Sequence, residues 1–285
     1  MFDTPLVTTA RSIKAFLERL GADNLIEIGR KFYYSLFLKD TGNNFIRKLV
    51  NGEIYKLVPN LALSADTYEP HLIAWLKEYL KPGDTFWDIG ANWGFISLPA
   101  ARIVGPSGQV VAVEPSPANL AWLKRHIILN QCENIVSVME VAVCEQNGGL
   151  VSLSLLNDGN SPSNSLMFTD SVNGVSPQVS QQVNVPAISL DSLLAEQGRS
   201  PKLVKIDVEG AELKVLKGAT QLLYSQAAPI IILAVHPFWL ATPEDSQEIV
   251  SILKNANYQI LNRCGSRVET LEFDEYLCLP PKFIS

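Results

Sequence analysis

Apolar residues recur at spacings of three and four from about Thr9 to Leu38, in IKAFLERL and LIEIGRKFYYSLFL. That period predicts helix, punctuated by Gly21 and Asp23, with Asp23 suited to an N-cap. The pattern then switches to alternation. FIRKLVNGEIYKLV reads as two short strands joined by Asn51-Gly52, the pair that favours a type I′ hairpin turn. TYEPHLIAWLKEYL, Thr67 to Leu80, returns to a helical period and is stopped by Lys81-Pro82-Gly83.

From Asp84 onward, strand and helix patterns take turns, which predicts an α/β fold of the Rossmann-like kind with a mostly parallel sheet. Strands are expected at about Thr85–Ile89, Gln109–Val113, Ile135–Val143, Leu150–Leu155, Leu203–Val208 and Ile230–Val235. Tyr258–Arg263 and Tyr276–Leu279 are expected to close the sheet as an antiparallel pair. Helices are expected at about Gly94–Val104, Pro117–Asn130, Ala211–Tyr224 and Pro243–Asn255, the last with Thr242 as N-cap. Pro99 fits its helix only in the first turn or at a kink. Asn157 to Gln182, rich in Ser and Asn, reads as a long loop or ragged hairpin and is a candidate lid. No low-complexity linker divides the chain. Residues 1–66 are therefore read as a helical and hairpin cap on a larger domain at 67–285.

Composition narrows the function. The chain has 285 residues, 47% of them hydrophobic, and a net charge of −6, which does not suit a nucleic-acid groove. The basic clusters Gly29 to Lys31 and Lys124 to His126 fall in helical patterns and read as solvated faces; His71 and His126 read as surface or packing residues. Cys132, Cys144, Cys264 and Cys278 lack the spacing of a zinc site or a disulfide framework. The start MFDTPLVTTARS is unlike a signal peptide, and the apolar stretch Ala227 to Val235 is far short of the ~20 residues that span a bilayer. A soluble cytoplasmic protein is expected, either monomeric or self-associating.

The chemistry sits where apolar runs end in carboxylates. TFWDIGANWGF, VVAVEPSP and LVKIDVEGAELKVLKGA each carry an acidic residue at the predicted end of a strand, which places Asp88, Glu114, Asp207 and Glu209 on one rim of the sheet. These segments, in this order, resemble the FkbM-type family of S-adenosylmethionine-dependent methyltransferases, from about Tyr68 onward. The resemblance implies a class I methyltransferase fold with a seven-stranded sheet. It also implies S-adenosylmethionine (SAM) as methyl donor and a hydroxyl acceptor on a sugar, glycan or natural product.

SAM has no phosphate, and Gly90-Ala91-Asn92-Trp93-Gly94 lacks the GxGxxG spacing of a pyrophosphate loop. Gly90 and Gly94 would let the backbone approach the donor, Asp88 and Asn92 would serve its amino acid end, and Glu114 would accept both ribose hydroxyls. Glu140 and Ala142, after the third strand, are the adenine-side candidates. Lys205, Asp207 and Glu209 alternate, so a regular strand would point all three to one face, at the chemical centre. Asp207, Glu209 and His236 are the candidate bases for a hydroxyl proton, with Lys205 balancing charge. The same three are residue types that hold a divalent ion, though their spacing does not establish a metal site.

Many members of the family carry a glutamate ahead of this region. Here the segment reads Leu233-Ala234-Val235-His236-Pro237, which leaves His236 as its ionisable group. An NPPY-type motif, associated with amino-group acceptors, is absent. Asn164 and Ser165 resemble a polar patch of the family that touches substrate. A nucleotide-cofactor oxidoreductase and a noncatalytic SAM-binding protein are the competing readings.

Overall fold

The computed structural model describes residues 45–58, 66–156, 179–237, 240, 242 and 244–283. The helices expected between Thr9 and Leu38, and Asn164 and Ser165, lie outside the described residues.

Seven strands form the central sheet: β3 (Thr85–Ile89), β4 (Gln109–Val113), β5 (Val136–Met139), β9 (Leu203–Ile206), β10 (Ile230–Val235), β11 (Gln259–Leu261) and β12 (Asp274–Leu279). Their spatial order is β11-β12-β10-β9-β3-β4-β5. The five from β10 to β5 run parallel, while β12 is antiparallel to both its neighbours. The chain thus reverses direction in the sheet order between β3 and β9, the kind of switch point where open α/β sheets bind ligands.

β3 is buried along its whole length because helices cover both faces of the sheet. Phe86 joins one core cluster with Val110 and Leu203, and its neighbour Trp87 joins the other with Val111 and Val204. On the Phe86 side the sheet is covered by α1 (Pro70–Tyr79), α2 (Ser97–Val104) and α3 (Pro117–Leu129). On the Trp87 side it is covered by α4 (Leu190–Gln197), α5 (Glu212–Lys217), α6 (Thr220–Tyr224) and α7 (Glu244–Asn255). Among the described residues, no helix is long and apolar enough to cross a membrane.

Several boundaries differ from expectation, each for a local reason. α2 starts at Ser97, so Pro99 is its third residue, where the missing N–H has no intrahelical partner to lose. The third strand splits: β5 joins the main sheet, and β6 (Ala142–Val143) leaves it to pair with β8 (Val179–Ile188), which also pairs antiparallel with β7 (Leu150–Leu156). Val179 to Gln182, expected as loop or ragged hairpin, therefore belong to a strand of an antiparallel pair with a register shift at Leu155/Leu156. The α4 helix was missed. Ser189 caps it by accepting from Ser192 N at 3.1 Å, and Gly198 ends it in the left-handed region. The helix expected at Ala211–Tyr224 is two short helices separated at Gly218 and Ala219.

β1 (Ile46–Val50) and β2 (Glu53–Leu57) form the expected hairpin, with Asn51 and Gly52 both at positive φ. The hairpin packs on α2 and α3. Arg102 bonds Glu53 at 3.0 Å and stacks on Tyr55, and Asn130 bonds Lys56 N at 3.0 Å. His126 is fully buried rather than on a solvated face. Its Nε2 accepts from Val58 N at 3.1 Å, so Nδ1 carries the proton donated to Trp93 O at 2.7 Å. One neutral imidazole thus ties the end of the hairpin to the glycine turn after β3.

Candidate active site

A cavity of about 370 Å³ opens at the carboxyl ends of β3, β4, β9 and β10. The turn after β3 forms its floor. Gly90 has φ +82, and a Cβ there would sit 1.9 Å from the Asp207 carbonyl oxygen, so only glycine lets β3 and β9 end side by side. Asn92 follows with φ +51. Gly94 closes the turn without lining the cavity; its Cβ would press on Leu123.

Glu114 ends β4 and is anchored from three directions. Oε2 accepts from Asn92 N at 2.8 Å, and Oε1 accepts from Ser116 N at 2.9 Å and Asn119 Nδ2 at 3.3 Å. A carboxylate offers about four acceptor positions, so one remains, on Oε2. That is narrower than the expected grip on two hydroxyls. Burial pushes the Glu114 carboxyl up to about 7 against the pull of these hydrogen bonds. Ala142, Val141, Val143 and Leu153 supply an apolar wall beside it.

Behind the rim lies a buried ion cluster. Lys205 is the register partner of Asp88 across β9 and β3. Its Nζ is 3.4 Å from Asp88 Oδ1 and 3.0 Å from Asp207 Oδ2, and donates to Gly90 O at 3.0 Å. Ser97 Oγ holds the other Asp88 oxygen at 2.6 Å. Burial pulls the Lys205 pKa down, but Asp207 and Asp88 outweigh it and hold the ammonium charged. Asp88 is fully buried and does not line the cavity, so it supports the turn from behind.

At the chemical end, β9 stops at Ile206, earlier than expected, and Asp207 N bonds Ile89 O at 3.1 Å. Glu209 adopts φ +50 and Gly210 φ +96. A turn, rather than strand alternation, therefore brings Asp207 and Glu209 to one place. His236, after β10, joins them: Nε2 lies 3.8 Å from Asp207 Oδ1 and 3.6 Å from Glu209 Oε2. Glu212, fully buried, accepts from His236 Nδ1 at 2.9 Å and from Gly210 N at 3.0 Å. Burial would lower the His236 pKa, yet the Glu212 bond and the surrounding carboxylates raise it to about 9. Burial pushes Glu209 up to about 7, whereas Lys205 and His236 overcome burial to hold Asp207 low.

The cavity thus brings together Asn92, Glu114, Ala142, Asp207, Glu209 and His236, with Gly90 at the turn and Lys205 just beneath. Glu140 is not among the lining residues; its carboxylate is exposed and bonds Lys124 at 2.6 Å. Sequence reasoning missed Tyr68, Glu69, Glu212, Arg263, Phe273 and Glu275. Glu69 stands at the start of α1 with φ +39, and burial pushes it up to about 7. The pair Glu69-Pro70 at a helix start was a readable signal for the position, though not for the direction of the side chain. Arg263 bonds Asp274 at 2.6 Å and lies 3.4 Å from Glu275, and Phe273 packs edge-on to His236.

Sheet order, glycine turn and rim carboxylates together define an α/β methyltransferase domain. The sequence matches the Methyltransferase FkbM domain family over residues 88–260, and the chain belongs to that family. It is 29% identical over 188 residues to the hexuronic acid methyltransferase AglP of Haloferax volcanii, covering 65% of this chain and 69% of that protein. It is 26% identical over 136 residues to the ribosomal protein L11 methyltransferase of Bacillus cytotoxicus, covering 45% of this chain and 43% of that protein. The match thus spans less than half the length of the latter. Among solved structures, a methyltransferase FkbM from Methylobacillus flagellatus KT aligns with a TM-score of 0.44 at 18% identity, over 72% of this chain and 50% of that one.

Proposed function

We propose that the protein transfers a methyl group from SAM to a hydroxyl of a sugar, glycan or related small molecule. The observation that carries the donor assignment is a pair of cavity-wall acceptors: Asn92 Oδ1 and Glu69 Oε2 are buried and have no hydrogen-bond partner among the described residues. Such oxygens call for a ligand that brings donors and positive charge. SAM brings both, in its ammonium and its sulfonium. Glu114 has one acceptor position left for a ribose hydroxyl, and the Val141 to Val143 wall with Leu153 offers an apolar seat for adenine.

The acceptor would enter beside Asp207, Glu209 and His236. Methyl transfer aligns the acceptor oxygen with the methyl carbon, and the hydroxyl proton leaves as the new bond forms. Lys205 keeps Asp207 ionised, and Glu212 fixes the ring of His236. The kinship with AglP, a hexuronic acid methyltransferase, favours an oxygen of a sugar or sugar acid. The kinship with a ribosomal protein methyltransferase is shorter, and β9 is followed by Asp207-Val208-Glu209-Gly210 rather than an amino-group motif.

Calorimetric titration with S-adenosylhomocysteine and, separately, NADH tests the donor assignment. Saturable binding of the first and none of the second is expected; the reverse pattern would establish an oxidoreductase. Incubation with methyl-labelled SAM and a panel of hexuronic acid glycosides, analysed by mass spectrometry, then locates the methyl group. Donor binding with no transfer to any hydroxyl on a broad panel would leave a SAM-binding protein.

A further inference from the structure

We propose that Asp207, Glu209 and His236 form a binding site for one divalent first-row transition-metal cation facing the cavity. The ion's chemical role rests on the methyltransferase reading above, whereas its binding rests on geometry alone. One ligand atom from each of the three side chains lies within 4.8 Å of the others. The separations of 3.6 and 3.8 Å from His236 Nε2 to the two carboxylates are too long for direct hydrogen bonds. They suit atoms that share an ion at roughly 2.0–2.2 Å from each.

The surroundings are arranged for such an ion. Glu212 is fully buried and bonds His236 Nδ1 at 2.9 Å, so Nε2 is turned toward Asp207 and Glu209. A carboxylate behind a histidine ring is the usual support of a metal-bound imidazole. Glu212 Oε2 is itself buried with no hydrogen-bond partner among the described residues, a cost that a nearby cation would lower. Asp207 divides its two oxygens: Oδ2 faces Lys205 at 3.0 Å, and Oδ1 faces His236. Lys205 is also matched by Asp88, so it does not neutralise the cluster. Glu69 and Glu275 stand on the same wall, with Arg263 3.4 Å from Glu275. Two carboxylates and one imidazole suit Mn²⁺ or Zn²⁺ better than Mg²⁺ or Ca²⁺, which favour all-oxygen sets.

Three protein ligands leave coordination positions open, the arrangement of catalytic rather than structural metal sites. The acceptor hydroxyl would take one of them. Bound there, it would lose its proton to water more readily. Its oxygen then bonds the methyl carbon as the sulfur–methyl bond breaks, with that electron pair staying on sulfur to give neutral S-adenosylhomocysteine. The ion keeps its oxidation state. The three side chains thus act on the hydroxyl through the cation, not as bases.

The test is titration of the chelator-stripped full chain with Mn²⁺, followed by electron paramagnetic resonance, with Zn²⁺ as competitor. One saturable Mn²⁺ per chain, displaced by Zn²⁺, is expected. Glu209→Gln and His236→Asn should each weaken it at least tenfold. Glu212→Gln, which removes the carboxylate behind the ring without removing a proposed ligand, should weaken it by about 10–100-fold. Circular dichroism of each variant separates lost binding from lost fold. No saturable site in the folded wild type, or equal affinity in folded Glu209→Gln and His236→Asn, overturns the proposal. Parallel titration with S-adenosylhomocysteine keeps the two ideas apart. Donor binding without metal binding removes only the cation, and metal binding without donor binding keeps the cation site and removes the methyltransferase reading.

Discussion

The two ends of the cavity are built in opposite ways. At the Glu114 end, the groups that anchor the carboxylate come from short contiguous segments: Asn92 from the turn after β3, and Ser116 and Asn119 from the residues that follow Glu114 itself. Most hydrogen-bonding capacity there is already used, so the end is rigid before any ligand arrives. At the Asp207 end, side chains come from α1, the turn after β9, the end of β10 and the segment before β12. Its carboxylates outnumber its cations: Lys205 pairs with Asp207 at 3.0 Å and Arg263 with Asp274 at 2.6 Å, while His236 Nε2 stands 3.8 Å from Asp207 and 3.6 Å from Glu209. The lesson is one of division of labour. Local structure satisfies the carboxylate at the Glu114 end, whereas long-range packing gathers the charges at the Asp207 end.

The comparison breaks first at Asp207. Asp207→Asn keeps the shape and removes the charge from the chemical end. Turnover is expected to fall on the order of 10²–10⁴, with S-adenosylhomocysteine affinity changed only a few-fold. Single-turnover transfer from labelled SAM, beside calorimetry, measures both. Equal losses in affinity and rate would show that the two ends are not separable.

Lys205 is where the ends meet, since it touches Asp88 and Gly90 on one side and Asp207 on the other. Lys205→Met leaves two carboxylates without their buried counter-charge. A loss of about 3–5 kcal/mol in stability is expected, read by urea unfolding. A near-neutral result would mean that Asp88 and Asp207 find other partners.

Glu114→Gln sharpens the donor end. Losing a charge-assisted hydrogen bond should weaken S-adenosylhomocysteine binding about tenfold, while acceptor-side metal or pH effects stay as in the wild type. The same variant tests linkage. Glu114 is raised from 4.5 to about 7 in the folded protein, so the fold holds its proton more tightly than the unfolded chain does. Its contribution to stability is full below about 4.5 and is lost as pH rises through about 7. Glu69 and Glu209, also raised to about 7, and His236, raised to about 9, act with the same sign. Buried His126, whose pKa is lowered, acts with the opposite one. Stability should therefore decline from pH 5 to 8, less steeply in Glu114→Gln than in the wild type. Parallel slopes in thermal melts across that range would remove Glu114 as a contributor.

These experiments follow the line between what sequence could and could not show. The rim carboxylates, the glycine turn and the histidine after β10 were legible because local patterning positions them: Asp88, Glu114, Asp207 and His236 each end an apolar run. The mostly parallel sheet follows from the same alternation, and its seven strands from the family resemblance. Glu212 was not legible, since it reads as an ordinary first-turn helix residue until β10 brings His236 onto it. Glu69, Arg263 and Phe273 were missed for the same reason, as each reaches the cavity through tertiary packing. Of the two readings of His126, surface or packing, packing is the one found; the basic cluster on its helix hid this, and its two hydrogen bonds join residues 33 and 68 positions away. The split of the third strand was hidden because β6 has only two residues and is defined by its partner β8.

The smallest effect is expected at Glu140, and it bears on the same comparison from the outside. Glu140 follows β5 directly, at the sheet edge nearest Glu114, where an adenine-reading acid was expected. Its carboxylate instead faces outward and pairs with Lys124 across an exposed surface. A solvent-exposed pair of this kind contributes about 0–1 kcal/mol. Glu140→Ala should thus leave S-adenosylhomocysteine affinity within twofold of the wild type and shift stability by less than about 1 kcal/mol. If calorimetry shows a tenfold loss of affinity with stability unchanged, the side chain swings into the cavity on binding. The donor end would then owe part of its grip to a group recruited by the ligand, and its rigidity before binding would be incomplete at the adenine side.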